Sequence, residues 1–216
     1  RCIEPRFLGK AVRVEADDRG RDRIWIGDKP FTFLSNYSFD RTFKPGALRE
    51  MLKLKSGEDS GDKATQAIAP EYQNREARLA RMDAQGLESC LLFPTLGVCV
   101  EHFMKDDPDQ LYANLHAFNR WLEEDWGFGA DGRIYAVPLM SLLDCERAVE
   151  ELEWVLERGA RVINLRPGPA YGRSPADPHF DPFWARLAEA GASACFHIGE
   201  SGYNEMMSVQ FGEESN

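Results

Sequence analysis

Val162-Ile-Asn-Leu-Arg-Pro167 and Ala192-Ser-Ala-Cys-Phe-His197 decide how this chain is read: each is a short run of mostly apolar residues that stops at a basic side chain. A helix-period stretch precedes each run. One starts at Asp144, lines Ala148, Val149, Leu152, Val155 and Leu156 on one face, and closes at Gly159. The other starts at Asp181-Pro182, carries Phe183, Trp184, Leu187 and Ala188, and closes at Gly191. Upstream the alternation repeats. Asn74 is placed to cap a helix through Ala77, Leu79, Ala80 and Met82 that ends at Gly86, and Leu91-Leu-Phe93 follows as a strand stopped by Pro94. Asp107-Pro108 opens a longer helix with Leu111, Leu115, Phe118 and Leu122 on one face, and Ile134-Tyr-Ala-Val137 is a strand stopped by Pro138. From residue 74 the order is α-β-α-β-α-β-α-β, with room for one crossover helix between successive strands. That pattern predicts a parallel sheet covered by helices.

Two architectures share this order. An open doubly wound sheet expects a glycine-rich phosphate loop after its first strand, and Leu91-Leu-Phe-Pro-Thr-Leu-Gly97 has no G-x-G-x-x-G. The spacing therefore favours an α/β fold of the (β/α)8 TIM-barrel type. Such a barrel takes about 250 residues, and 216 residues with four barrel-type strands predict a chain truncated at both ends. The beginning at Arg1, without methionine, and the polar run Gly212-Glu-Glu-Ser-Asn216 carry the same expectation. Residues 1–73 read differently. Ala11-Val-Arg-Val-Glu15 and Arg23-Ile-Trp-Ile-Gly27 flank the turn cluster Asp17-Asp-Arg-Gly20 as a small N-terminal β-hairpin insert. A third apolar stretch covers Phe31 to Leu34, a short helix opens at Pro45 through Leu48, Met51 and Leu54, and 56–73 reads as a surface loop. The expected division is 1–73 as insert and loop, and 74–216 as a partial barrel.

The formal charge is −10, from 26 Lys+Arg and 36 Asp+Glu. It argues against nucleic-acid and anionic-membrane partners, and no apolar run reaches the roughly 18–20 residues of a membrane span. The charge is uneven: residues 1–80 hold 16 basic and 13 acidic groups, residues 81–216 hold 10 and 23. Five scattered cysteines, none in a C-x-x-C pair, predict no disulfide framework and a reducing, cytoplasmic setting. The expected partner is a small-molecule substrate, with a homo-oligomer formed through the aromatic hairpin region (Trp25, Phe31, Phe33).

In a barrel, reactive groups sit where strands end. His197 there is either a half-buried histidine bonded to backbone or a ligand of a divalent metal, which lowers the pKa of bound water or polarises a substrate oxygen. Arg166 precedes Pro167-Gly-Pro-Ala-Tyr-Gly-Arg173, a loop suited to close backbone approach; its guanidinium either clamps a substrate carboxylate or pairs with a neighbouring acid. Glu200 is a candidate catalytic base or support for His197, or a solvated loop carboxylate. His102, His116 and His179 are not at strand ends and read as structural or surface groups. No H-x-H or H-E-x-x-H occurs.

The stretch Arg78-Leu-Ala-Arg-Met-Asp-Ala-Gln-Gly86, with Pro94, Asn119, Arg133, Pro138, Glu150-Glu-Leu152, Gly159 and the strand ending in His197, resembles the amidohydrolase-related family. Within it, the likeness is to the branch of aminocarboxymuconate-semialdehyde decarboxylase. The resemblance implies a metal-dependent (β/α)8 enzyme whose divalent ion, most often zinc, is held by ligands on strands one, five, six and eight. The four strands here then count as two to five, and His197 falls at the end of strand five as a metal ligand. Hydrolysis or non-oxidative decarboxylation of a small organic acid, ester or amide is the implied activity. The sequence departs from that decarboxylase in three places: Phe31-Thr-Phe-Leu34 has no arginine, Ile198-Gly-Glu-Ser201 has no Pro-Trp-Asp, and the segment between the hairpin and residue 74 is longer. Two alternatives stay open, a non-catalytic barrel serving as a binding or assembly module, and a metal-free lyase using Arg166 with an acid–base pair.

Overall fold

Local signals at helix ends place most of the elements. In the computed structural model, which describes residues 2–16, 18, 22–32, 41–55, 64–94, 96–199 and 211–212, the helices are α1 (Leu48–Lys55), α2 (Arg75–Gln85), α3 (Gly97–Val100), α4 (Pro108–Asp125), α5 (Cys145–Glu157) and α6 (Asp181–Glu189). Asn74, Asp107 and Asp144 each accept a backbone N–H three residues on, at 2.9, 3.0 and 3.2 Å, satisfying one of the unpaired donors of the first helical turn. Asp181 does not cap α6; the preceding Asp177 instead caps a 3₁₀ turn, Pro178–Phe180, that leads into it.

The strands are β1 (Val12–Ala16), β2 (Asp22–Ile26), β3 (Lys29–Pro30), β4 (Arg41–Phe43), β5 (Thr65–Ala67), β6 (Cys90–Leu92), β7 (Ile134–Ala136), β8 (Val162–Leu165) and β9 (Ser193–Phe196). β1, β2 and β3 form an antiparallel sheet in which Val12 faces Ile26 and Arg13 faces Trp25. It buries Ile24 and Ile26 against α3, α4 and the turn after α3. Phe31 joins that cluster and is buried, so it packs inward rather than forming part of an exposed aromatic patch; Phe33 lies outside the described residues. The segment 56–73, read above as loop, contains β5, which pairs with β4, and a 3₁₀ turn at Pro70–Tyr72. Thr65-Gln-Ala67 is held by main-chain bonds to a distant strand, a force that leaves no hydrophobic period in the sequence.

β6 to β9 run parallel. β6 pairs with β7, β8 with β9, and a parallel bridge between Leu139 and Asn164 joins the continuation of β7 to β8. Asn164 donates to the Pro138 carbonyl and accepts from the Met140 N–H, both at 2.8 Å. The four strands therefore stand in chain order, and no reversal of that order, the feature that marks a doubly wound sheet, occurs among them. One face packs on the helices: Ile134, Ala136, Ile163 and Leu165 meet Met82, Leu122, Leu152, Val155, Phe183 and Leu187 in the main core. Because strand side chains alternate, Leu91, Phe93, Asn164, Arg166, Cys195 and His197 belong to the opposite face. Leu91 and Phe93 there are 47% and 36% exposed.

Candidate functional site

β8 and β9 pair from Val162 with Ser193 to Leu165 with Phe196, and the His197 N–H continues the ladder to the Leu165 carbonyl at 3.1 Å. Arg166 and His197 thus leave neighbouring strands at the same end, on the face turned away from the helices. His197 Nδ1 lies 3.0 Å from the Ile198 carbonyl. The tautomer that donates there keeps the lone pair on Nε2, the atom left to bind a metal. Its ring is 5.9 Å from that of Phe93 at the end of β6. Past His197 the chain crosses α3 so closely that a Cβ on Gly199 would stand 2.6 Å from Val98 Cγ2 and 3.0 Å from its carbonyl oxygen.

Arg166 makes no ion pair or hydrogen bond among the described residues; its Nε is buried without a partner, and its guanidinium lies 5.0 Å over the Tyr171 ring. Asn164, two residues back on the same face, also has a buried Oδ1 without a partner. Ala170 and Arg173 exchange both backbone hydrogen bonds, which closes a two-residue turn with φ of 51° at Tyr171 and 89° at Gly172. A bulky residue with φ in that region costs about 1–3 kcal/mol and persists where other contacts hold it.

Those contacts run to Glu101. The Tyr171 hydroxyl donates to Glu101 Oε1 at 2.5 Å, and Ser141 Oγ donates to the same oxygen at 2.7 Å. Glu101 comes from the turn after α3, Ser141 from the segment after β7, and Tyr171 from the loop after β8, so three strand-end loops converge on one carboxyl. Burial raises the Glu101 pKa, opposed by Tyr171, Ser141 and the Arg166 charge. Burial, with Glu101 beside it, also raises that of Tyr171, which therefore keeps its proton and acts as donor. Tyr112 supports the group: its hydroxyl lies 2.8 Å from the Asp144 carbonyl and 3.0 Å from that of Ser141, and it accepts the Asp144 N–H at 3.1 Å.

Glu101, Ser141 and Tyr171 were not singled out from sequence, although an acid inside the apolar run Val98 to Met104 is a usable signal. Glu200 lies outside the described residues. His102 and His179 sit in 3₁₀ turns against Phe103 and Phe180, and His116 bonds the buried Glu151 at 2.8 Å. Among the described residues no three His, Cys, Asp or Glu side chains come together as a ligand set. His197 fits a metal as one ligand of a set that these residues do not complete. None of the five cysteines is joined in a disulfide among the described residues, and no described helix is long and apolar enough to cross a membrane.

Consecutive parallel β/α units with the core on one face mark an α/β fold, and the chain belongs to the amidohydrolase family, whose model matches residues 20–215. Membership implies a TIM-barrel-like fold. Among solved structures, an amidohydrolase from Mycobacterium avium subsp. paratuberculosis K-10 shares 40% identity over 99% of this chain at a TM-score of 0.83. The chain spans 57% of that protein's length. A 2,6-dihydroxybenzoate decarboxylase is 20% identical over 64% of this chain and 43% of its own (TM-score 0.47). A manganese-bound 5-carboxyvanillate decarboxylase from Novosphingobium aromaticivorans is 18% identical over 78% and 52% (TM-score 0.46). At those scores the last two bear on neither reaction nor substrate. No curated protein matches the chain.

Proposed function

We propose that the whole protein is a metal-dependent enzyme that acts on a small organic anion by hydrolysis or non-oxidative decarboxylation. In this proposal β6 to β9 are strands two to five of a (β/α)8 barrel, His197 is one ligand of a divalent ion, zinc first, and Arg166 anchors the substrate anion. One observation carries it: beside a histidine whose Nε2 is left to coordinate stands a guanidinium with a buried Nε–H and no hydrogen-bonded partner among the described residues. A buried donor left unmet costs about 1–3 kcal/mol, and a bound carboxylate supplies the missing acceptor with the complementary charge. The bound ion would supply an activated water or a polarised substrate oxygen. The chain's own residues do the rest. Tyr171 and Glu101 hold the guanidinium in place, the Ile198 carbonyl orients the imidazole, and Asn164 offers an acceptor on the same face as the anion site.

The test is metal content and anion binding in the whole protein purified without added metal. A stoichiometric divalent ion, lost in His197→Ala, together with a KM raised at least tenfold in Arg166→Lys with a smaller change in kcat, is expected. An ion-free protein whose activity survives chelation, or a His197→Ala variant that keeps its ion, overturns the proposal.

A further inference from the structure

Between the β1–β3 sheet and the face formed by α3, α4 and the end of β7 lies a cavity of about 380 Å3, within the size range of small-molecule pockets. Ile24 and Phe31 wall it on the sheet side, and Val100, Leu115, Phe118 and Leu139 on the other. Its polar wall groups are mostly engaged. Asn114 accepts the Val12 N–H at 2.7 Å and donates to Lys10 and Gln110 carbonyls, and Arg13 bonds Gly27 and Glu15. Glu101 differs. It is 8% exposed, both of its hydrogen bonds fall on Oε1, and among the described residues Oε2 has no partner.

We propose that this cavity is a binding site for a small molecule with an apolar body and a neutral hydroxyl head that donates to Glu101 Oε2. The donor count selects the head. A carboxylate or phosphate would bring a second anion against Glu101 with no donor for it. An ammonium brings three N–H donors to a wall with one unspent carboxylate oxygen, and burying the other two unmet is costly. A hydroxyl brings one. Glu101 is also bonded to Tyr171, whose ring carries Arg166, so an occupant of the cavity and the anion anchor share one hydrogen-bonded group. The cavity site uses neither His197 nor a metal and stands apart from the metal proposal.

The probes are 4-propylphenol and 4-propylanisole, which differ by methylation of the hydroxyl. They are titrated into the whole protein as purified, with calorimetry and the 15N shift of the Trp121 indole, which lines the cavity, as readouts. Saturable binding of the phenol, at least tenfold tighter than the anisole and shifting Trp121, is expected. In Glu101→Gln, which turns an amide donor towards the ligand, the preference falls to about twofold or inverts. Ala117→Phe, which fills the cavity, abolishes binding of both. Equal affinities in the unmutated protein, no saturation up to the solubility limit, or an unchanged preference in Glu101→Gln overturns the proposal. The first two need no variant to fold.

Discussion

Replacing Asn119 by leucine tests whether a single side chain holds the end of β7 in place. Asn119 is fully buried on α4, and its amide acts as a strand would: Oδ1 accepts the Leu139 N–H and Nδ2 donates to the Leu139 carbonyl, both at 2.8 Å. Nδ2 also donates to Glu151 Oε1 at 2.8 Å, and Glu151 is itself nearly buried. Leucine keeps the branching and heavy-atom count of asparagine and is somewhat larger, so no cavity opens, but three polar groups lose a partner: the Leu139 N–H, its carbonyl and the Glu151 carboxylate. At roughly 1–3 kcal/mol each they sum to roughly 3–9 kcal/mol, and burying leucine in place of an amide returns about 2 kcal/mol. The net loss is on the order of 4 kcal/mol, a large share of a typical total of about 5–15 kcal/mol. Urea unfolding followed by circular dichroism measures it, and a double-mutant cycle with Glu151→Leu isolates the amide–carboxylate part, since replacing both partners removes an orphan that replacing one creates. A loss below about 1 kcal/mol for Asn119→Leu, or strict additivity in the cycle, would refute the reasoning. The same substitution should loosen Ser141, two residues beyond Leu139, from Glu101.

Burial raises the Glu101 pKa above its ordinary 4.5, so the folded state binds its proton more tightly than the unfolded one. Glu101 therefore favours folding most at pH below 4.5, and this contribution fades as pH rises through its folded value; Glu101→Gln should flatten that slope in urea-unfolding profiles, and an unchanged slope would contradict the burial argument. Gly199→Ala places a methyl against the Val98 side chain and carbonyl, displacing the Ile198 carbonyl that orients His197; metal affinity measured by competition with a chelating dye should fall about tenfold without loss of a ligand. Phe183→Ala empties a fully buried position between α5, α6 and β8 and should cost about 3–5 kcal/mol in the same unfolding assay. Asn74→Ala should cost about 1 kcal/mol by removing the bond to the Ala77 N–H.

What could be read along the chain is what short-range forces write there. Asn74, Asp107 and Asp144 cap helices because a side-chain oxygen reaches an amide three residues away, and Gly86 and Gly191 stop helices with φ of 69° and 62° because glycine alone lacks a Cβ to clash. Parallel strands with helices outside followed from period and spacing. His197 and Arg166 were found at strand ends because the strands stop there, and the structure sets them side by side. β5 escaped notice because its pairing with β4 is carried by backbone, across a gap that no local period bridges.

The carboxyl cluster lay beyond that reach. Glu101, Ser141 and Tyr171 stand 30 to 70 residues apart, and nothing in each one's neighbours says that they share an oxygen. Asn119 looks like any polar residue on a helix until the Leu139 backbone is brought against it. From residue 74 on, sequence pattern alone was sufficient for the type and order of the main helices and strands and for the direction of the strands, since propensity, capping and hydrophobic period act within a few residues. Packing of separate loops chose which polar groups are buried, which are satisfied and which are left open. Desolvation is a property of the assembled surroundings, so the unspent oxygen of Glu101 and the unmet Nε–H of Arg166 exist only once the chain has folded.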